Sequence, residues 1–307
     1  MRPENWNGRL TARLWNRPRT HARLFSASHS LQISQGRAFS VTTTVSPPQA
    51  QTSSRQDSAI WRIAREHALL LGGPAAAILQ IAHPAVALGV ANHSDFRADT
   101  LSRLRRTIEA VYTITFSSPA EIEAMSARVR AAHLRVRGES PQRYSAFSPD
   151  AQMWVLATLI QLSIEMYERF ISPLDAADRE EFLLGMRDFG TWFGLPTDYG
   201  PQGWASFAAY YNDMLRSDLL GSLPVSRELA RHIVYPLRPR SLRPLWPLAS
   251  FAAREFLPSP IREKLGLPRT VFSQLMAVSF DAVLPRIVPA LPARIRFAPQ
   301  YVRAMRG

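Results

Sequence analysis

Residues 58–93 read SAIWRIAREHALLLGGPAAAILQIAHPAVALGVANH. Apolar side chains recur in this stretch at intervals of three and four, and strand-like alternation is scarce, so it predicts helix. Gly72-Gly73-Pro74 punctuates it, because glycine stops a helix readily and proline suits a first turn. The spacing predicts one helix over 58–71 and a second beginning at Pro74 and running to His93. The second should bend near Pro84, which has no N–H to give to the preceding turn.

From Ala68 to Asn92 the chain carries no charged side chain, and that length is sufficient to span a bilayer. Buried helices of a large α-domain are equally apolar all round. The interruptions at Gly72, Gly73, Pro74, His83 and Pro84 favour a core helix pair over a transmembrane span, and leave a peripheral membrane contact open.

The same periodicity continues outward. Asp99 or Thr100 caps a helix to Phe116, and Ser117 or Ser118 caps another that runs from Pro119 through Gly138. Helices over 149–171, 175–193, 203–217 and 226–233 follow, then a C-terminal region broken by Pro236, Pro239, Pro244, Pro247, Pro258 and Pro260. No period of repeat length appears. The expectation is all-α, a single multi-helix domain over residues 58–307.

Upstream the composition changes. Residues 1–56 hold eight arginines and one acid, Glu4, which is more than half of the net charge of +13. Rich in Arg and Ser and nearly acid-free, this stretch has the make-up of a transit peptide. Arg-x-Phe-Ser occurs twice, at Arg23–Ser26 and Arg37–Ser40, and is similar to the cleavage signal of mitochondrial presequences. We expect a mitochondrial-type presequence over 1–39, cut after Phe39, and a flexible linker over 40–57. A basic tail on a membrane-associated or cytoplasmic protein is the alternative. No uninterrupted apolar stretch precedes residue 58, which argues against a secretory signal.

Composition removes several function classes. There is no cysteine among the 307 residues, hence no disulfide framework, thiolate ligand or Cys nucleophile. Any metal must be held by His or oxygen donors. Lys264 is the single lysine among 37 cationic side chains. No basic tract is interleaved with aromatics, so nucleic acid is not an expected partner. A Gly-rich phosphate loop, a Gly-x-Ser-x-Gly elbow and a His-Glu-x-x-His helix are all missing from the sequence.

Five histidines fall in the body, and three have informative surroundings. His83 is a polar ring in the most apolar stretch, either a satisfied core residue or a ligand. His93 follows at a helix end, beside capping residue types. His133 sits with Arg130 and Arg137 to either side. That pattern fits an ordinary amphipathic helix, and it fits equally an iron ligand with guanidinium groups beside anionic propionates. Arg103, Arg106 and Thr107 share one helical stripe, which is a solvated basic face or a polar wall over a ligand.

In order along the chain stand Leu71–Pro74, Leu79–Pro84, His93-Ser94 with Phe96, Arg103–Thr107 and His133–Gly138. Tyr144–Phe147, Glu168–Phe170 and a Pro/Arg-rich end continue the series. Over roughly residues 60–305 this series resembles the rubber-oxygenase (latex clearing protein) and ER-bound oxygenase mpaB catalytic-domain family. The resemblance implies an all-α fold around haem b, with dioxygen used to cleave a carbon–carbon double bond in isoprenoid chains. His133 matches the proximal iron ligand of the His-x-x-Val-Arg motif. Arg103, Arg106 and Thr107 match the distal stretch, where the rubber-cleaving branch has lysine at the position of Arg106. Neutral lysine can ligate iron, whereas a guanidinium of pKa above ~12 does not, so the distal side is expected to be open or water-bound.

The leading expectation is therefore a haem-dependent oxygenase acting with dioxygen on an apolar, isoprenoid or lipid-like substrate. His133 holds iron, Arg130 and Arg137 flank the cofactor, His83 and His93 line the pocket, and Arg103, Arg106 and Thr107 polarise dioxygen. A non-haem iron enzyme using His83, His93 and His133 is a second reading. A non-catalytic haem or lipid-binding protein is a third.

Overall fold

In a computed structural model the described residues are 56–94, 100–235, 246–269 and 271–306. The chain divides into Met1–Pro48 and Gln49–Gly307, and all described residues belong to the second unit. The expected presequence, most of the linker, the Asp99 cap, Phe96 and Pro236, Pro239 and Pro244 lie outside them. Apart from one two-stranded hairpin and an isolated bridge, the regular structure among the described residues is helical, so the fold is all-α as the periodicity predicts.

The opening stretch forms more pieces than its spacing predicts. Helix α1 covers Ala59–Ala64, a 3-10 turn covers His67–Gly72, and α2 (Gly73–Ala82) and α3 (Pro84–His93) follow. The single helix expected over 58–71 breaks at Arg65-Glu66 because that backbone is used elsewhere. Glu66 bridges Phe297, and the Ala298 N–H donates to the Arg65 carbonyl at 2.8 Å. The Glu66 carboxylate is fully buried and receives two hydrogen bonds of 2.8 Å from Arg296. Thus the last segments, Ala293–Arg296 and α14 (Pro299–Ala304, with Ala293–Arg296 as α13), close against the first.

The bend expected at Pro84 is a complete break of 102°. Proline disfavours αR at the residue before it, and His83 is extended at φ −73°, ψ 127°. The carbonyls freed at the end of α2 find partners: Trp154 Nε1 donates to Leu79 O at 2.8 Å and Gly221 N–H to Ala82 O at 2.8 Å. Ala75, Ile78, Leu79, Ala82 and Ala87 are buried in the core, so the uncharged stretch is spent inside the protein. Among the described residues no single helix is long and apolar enough to cross a membrane.

Helix α4 (Thr100–Phe116) packs on α5 (Pro119–His133). Ser118 starts α5 as expected, its N–H donating to Glu121 at 2.9 Å, but the helix stops at His133 and not at Gly138. Arg137–Gly138 (β1) instead pairs antiparallel with Tyr144–Ser145 (β2). The long α6 (Pro149–Phe170) runs through the centre, burying Trp154, Ile160, Met166 and Phe170 against α2, the 3-10 turn and α7 (Ala176–Thr191). Around it stand α8 (Trp204–Arg216), α9 (Pro224–Val234), α10 (Trp246–Glu255), α11 (Ser259–Leu265) and α12 (Val271–Ile287). A smaller cluster of Trp61, Tyr112, Phe116 and Tyr301 fastens α4 to α1 and to the C-terminal segment.

Candidate active site

Three side chains between the start of β2 and the first turn of α6, Tyr144, Phe147 and Asp150, each act on a different histidine. Tyr144 is buried, and its hydroxyl accepts from Asn92 Nδ2 at 2.9 Å and bonds His93 Nε2 at 3.0 Å. Gly138 makes room for that ring, since a Cβ there would sit 2.6 Å from it. Phe147 meets the His133 ring edge-on, with centroids 6.3 Å apart. Asp150 is close enough to His83 for its carboxylate to pull the imidazole pKa upward.

His133 closes α5 and is half-buried. Burial lowers its pKa, and the Arg103 guanidinium lowers it further, so the ring is neutral at pH 7. Its Nδ1 is buried and has no hydrogen-bond partner. A buried ring nitrogen left unsatisfied calls for an explanation, and a neutral imidazole with an uncommitted nitrogen is a competent iron ligand. Beside it the small side chains of Ala131 and Ala132, with Arg135, Val136 and His93, line a cavity of about 450 Å³. This is within the range of ligand pockets, ~300–1,000 Å³. The donor type and its protonation fit a histidine that would hold haem iron, and the cavity is lined by its chain neighbours Ala131, Ala132, Arg135 and Val136 with His93, not by His133 itself.

The other expected residues are distributed unevenly. Arg103 faces this region, donating to Ser94 Oγ at 2.9 Å, and burial followed by the charge of Arg106 lowers its pKa. The Thr107 hydroxyl donates to Arg103 O at 3.0 Å and is thus spent on its own helix. Arg106 is exposed. Arg130 donates to the Trp192 carbonyl at 2.9 Å, and Arg137 is exposed on β1. His83 caps α3, with Nδ1 accepting from the Ala85 N–H at 3.3 Å, and desolvation takes its pKa down to about 4. Among the described residues, which include His83, His93 and His133, no group of three His, Cys, Asp or Glu side chains is placed to hold a metal ion. The three histidines surround the 144–150 segment without converging.

Tyr144 and Phe147 enter the sequence reading only as part of the family series, with no role. Two aromatics immediately before Ser148-Pro149, a helix start, are the one local signal that they mark a corner.

Comparison with known proteins bears on the family of the chain. Two relatives are each 27% identical over 215 residues, covering 67% of this chain and 76% of theirs. They are the uncharacterized protein Mb2261 of Mycobacterium bovis and the uncharacterized protein Rv2237 of Mycobacterium tuberculosis. No solved structure matches the chain. The model of one family, described as ER-bound oxygenase mpaB/B'/Rubber oxygenase, catalytic domain, matches residues 61–288. That span runs from α1 to the end of α12 and takes in His83, Arg103, His133 and the 144–150 corner, so the chain belongs to the mpaB and rubber oxygenase family of oxygenase catalytic domains.

Proposed function

We propose that this protein is a haem-dependent oxygenase in which His133 ligates the iron of haem b and dioxygen is used on an apolar, isoprenoid or lipid-like substrate. The observation that carries the reading is the neutral His133 ring, with a buried, unpartnered nitrogen, next to a cavity flanked by alanines. Haem iron at this position supplies the site of dioxygen chemistry. The protein's own residues prepare it. Phe147 fixes the ring plane of His133 edge-on. Burial first, and then the charge of Arg103, which is tethered to Ser94, lower the pKa of the imidazole. Asn92 and His93 pin Tyr144 of the hairpin that follows Val136, a residue of the cavity wall. A guanidinium at 106 would not coordinate iron, so His133 would be the side chain that holds it. Residues 1–39 are read as a mitochondrial presequence.

The test is spectroscopic. Protein purified after haem supplementation is expected to show a Soret band that is lost or displaced in His133→Ala and kept in Arg106→Ala. A band unchanged in His133→Ala removes His133 as ligand. Stable haem without oxygen consumption over isoprenoid and unsaturated lipid panels supports a non-catalytic haem-binding protein instead.

A further inference from the structure

Helix α12 packs on the protein along one side. Phe280 meets Phe251 of α10 with ring centroids 4.7 Å apart, Leu284 lies against the main core, and Ser273 is buried. The side turned outward is apolar as well. Leu275 and Val278 are 65% and 71% exposed, and Ala282, Val283 and Ile287 are exposed with them. At 3.6 residues per turn Leu275, Val278 and Ala282 share one stripe, which Val283 and Ile287 widen to one side. A surface helix ordinarily turns charge to solvent, yet α12 holds two charged side chains in 17 residues, Asp281 and Arg286. Asp281 is engaged by Arg169 of α6 at 2.9 Å, so its negative charge is compensated.

The exposed apolar surface continues past the helix end. A 3-10 turn (Val288–Ala290) leads to α13, and Arg296 Nη1 donates to Pro289 O at 3.0 Å, which holds α13 to that turn. Ile295 of α13 is exposed. Arg286 and Arg294, each next in sequence to one of the exposed isoleucines, are exposed too. Residues 282–307 contain five arginines and no acid. Arg296 is held by Glu66 and Arg303 lies within electrostatic reach of Glu121, but among the described residues no carboxylate pairs with Arg286 or Arg294.

An apolar stripe edged by unpaired guanidinium groups matches the boundary of an anionic bilayer, where aliphatic side chains enter the acyl region and arginines meet phosphate. A second copy of the same face would set two rims of like charge against each other. With one side fixed to α6 and α10 and a length of about 26 Å, α12 lies along a bilayer and does not span it. The uncharged stretch 68–92, the other apolar segment of this length, is spent in the core. We propose that the outward face of α12, with Ile295 and the Arg286 and Arg294 guanidinium groups at its edge, docks the protein on a membrane surface that carries anionic phospholipids.

The sequence has no cysteine, so one introduced thiol labels one site. Full-length Val278→Cys carrying acrylodan is expected to emit as in water when in buffer. Vesicles of phosphatidylcholine with phosphatidylglycerol should shift that emission to the blue, and brominated acyl chains should quench it. The same dye on Glu123→Cys, exposed on α5, should show neither change. Arg286→Gln combined with Arg294→Gln is expected to weaken binding to these vesicles roughly twentyfold, and Leu275→Ser about tenfold. High salt and vesicles of phosphatidylcholine alone should weaken it in the same sense. His133→Ala should bind vesicles like the unaltered protein, so the haem reading can fail while this one stands. Absence of vesicle binding overturns the proposal. So does binding that leaves the label at 278 unmoved, which assigns the contact to the eight arginines of residues 1–56. Blue-shifted emission already in buffer overturns it as well, giving the face to a second copy or to another segment of the chain.

Discussion

The His83 imidazole occupies the corner between α2 and α3, where Pro84 removes one backbone donor and the ring accepts another from Ala85. Its polarity inside the most apolar stretch is legible in the sequence; that it serves as a cap is not, because capping depends on the 102° turn of the chain at that point. With the folded pKa near 4 and the unfolded value near 6.5, the unfolded chain takes up the proton first. His83 therefore stabilises the fold above pH 6.5, and that contribution, roughly 3 kcal/mol, is lost as pH falls through the window toward 4. His83→Asn, which caps without titrating, is expected to flatten this acid limb in denaturant midpoints measured against pH, leaving the part that His133 supplies. An unchanged slope would show that His83 is solvated in the native state.

At the scale of elements, helices were legible wherever the apolar period was long and a proline or serine marked the start, as at Ser118-Pro119 and Ser148-Pro149. The misses are at α1, which stops seven residues short of the expected end, and at α5, which stops at His133. Both ends are set by partners distant in sequence: Phe297 and Arg296 for the first, Tyr144-Ser145 for the second. The first case is open to a double-mutant cycle. Arg296→Met takes both hydrogen bonds from a fully buried carboxylate, leaving it only the Arg65 guanidinium at 3.6 Å, and is expected to cost about 3–5 kcal/mol in chemical denaturation. Adding Glu66→Met should recover a large part of that loss. Equal stability of the single and double variants would mean that Glu66 carries no uncompensated charge when Arg296 is gone.

For the whole molecule, the compositional change near residue 57 is the feature that bears on where the protein works. Residues 1–56 fused to a fluorescent reporter are expected to reach mitochondria and to be cut after Phe39, leaving Ser40 as the new N-terminus. A diffuse cytosolic signal would remove the mitochondrial assignment. Composition and periodicity were sufficient for the fold class, because a helix's apolar stripe is a local, repeating property of the chain. The ordered motifs were sufficient for the family, which the match over residues 61–288 bears out. Tertiary structure alone decided which polar atoms stay unpaired. His133 Nδ1 and the Tyr211 hydroxyl are each ordinary in sequence, and stand out only because the surrounding residues bury them without offering a partner. Conversely, Thr107 and Arg130, well placed on their helices, are taken up by backbone carbonyls that no spacing rule reveals. Hydrogen-bond satisfaction is a property of the packed molecule, and periodicity carries no record of it.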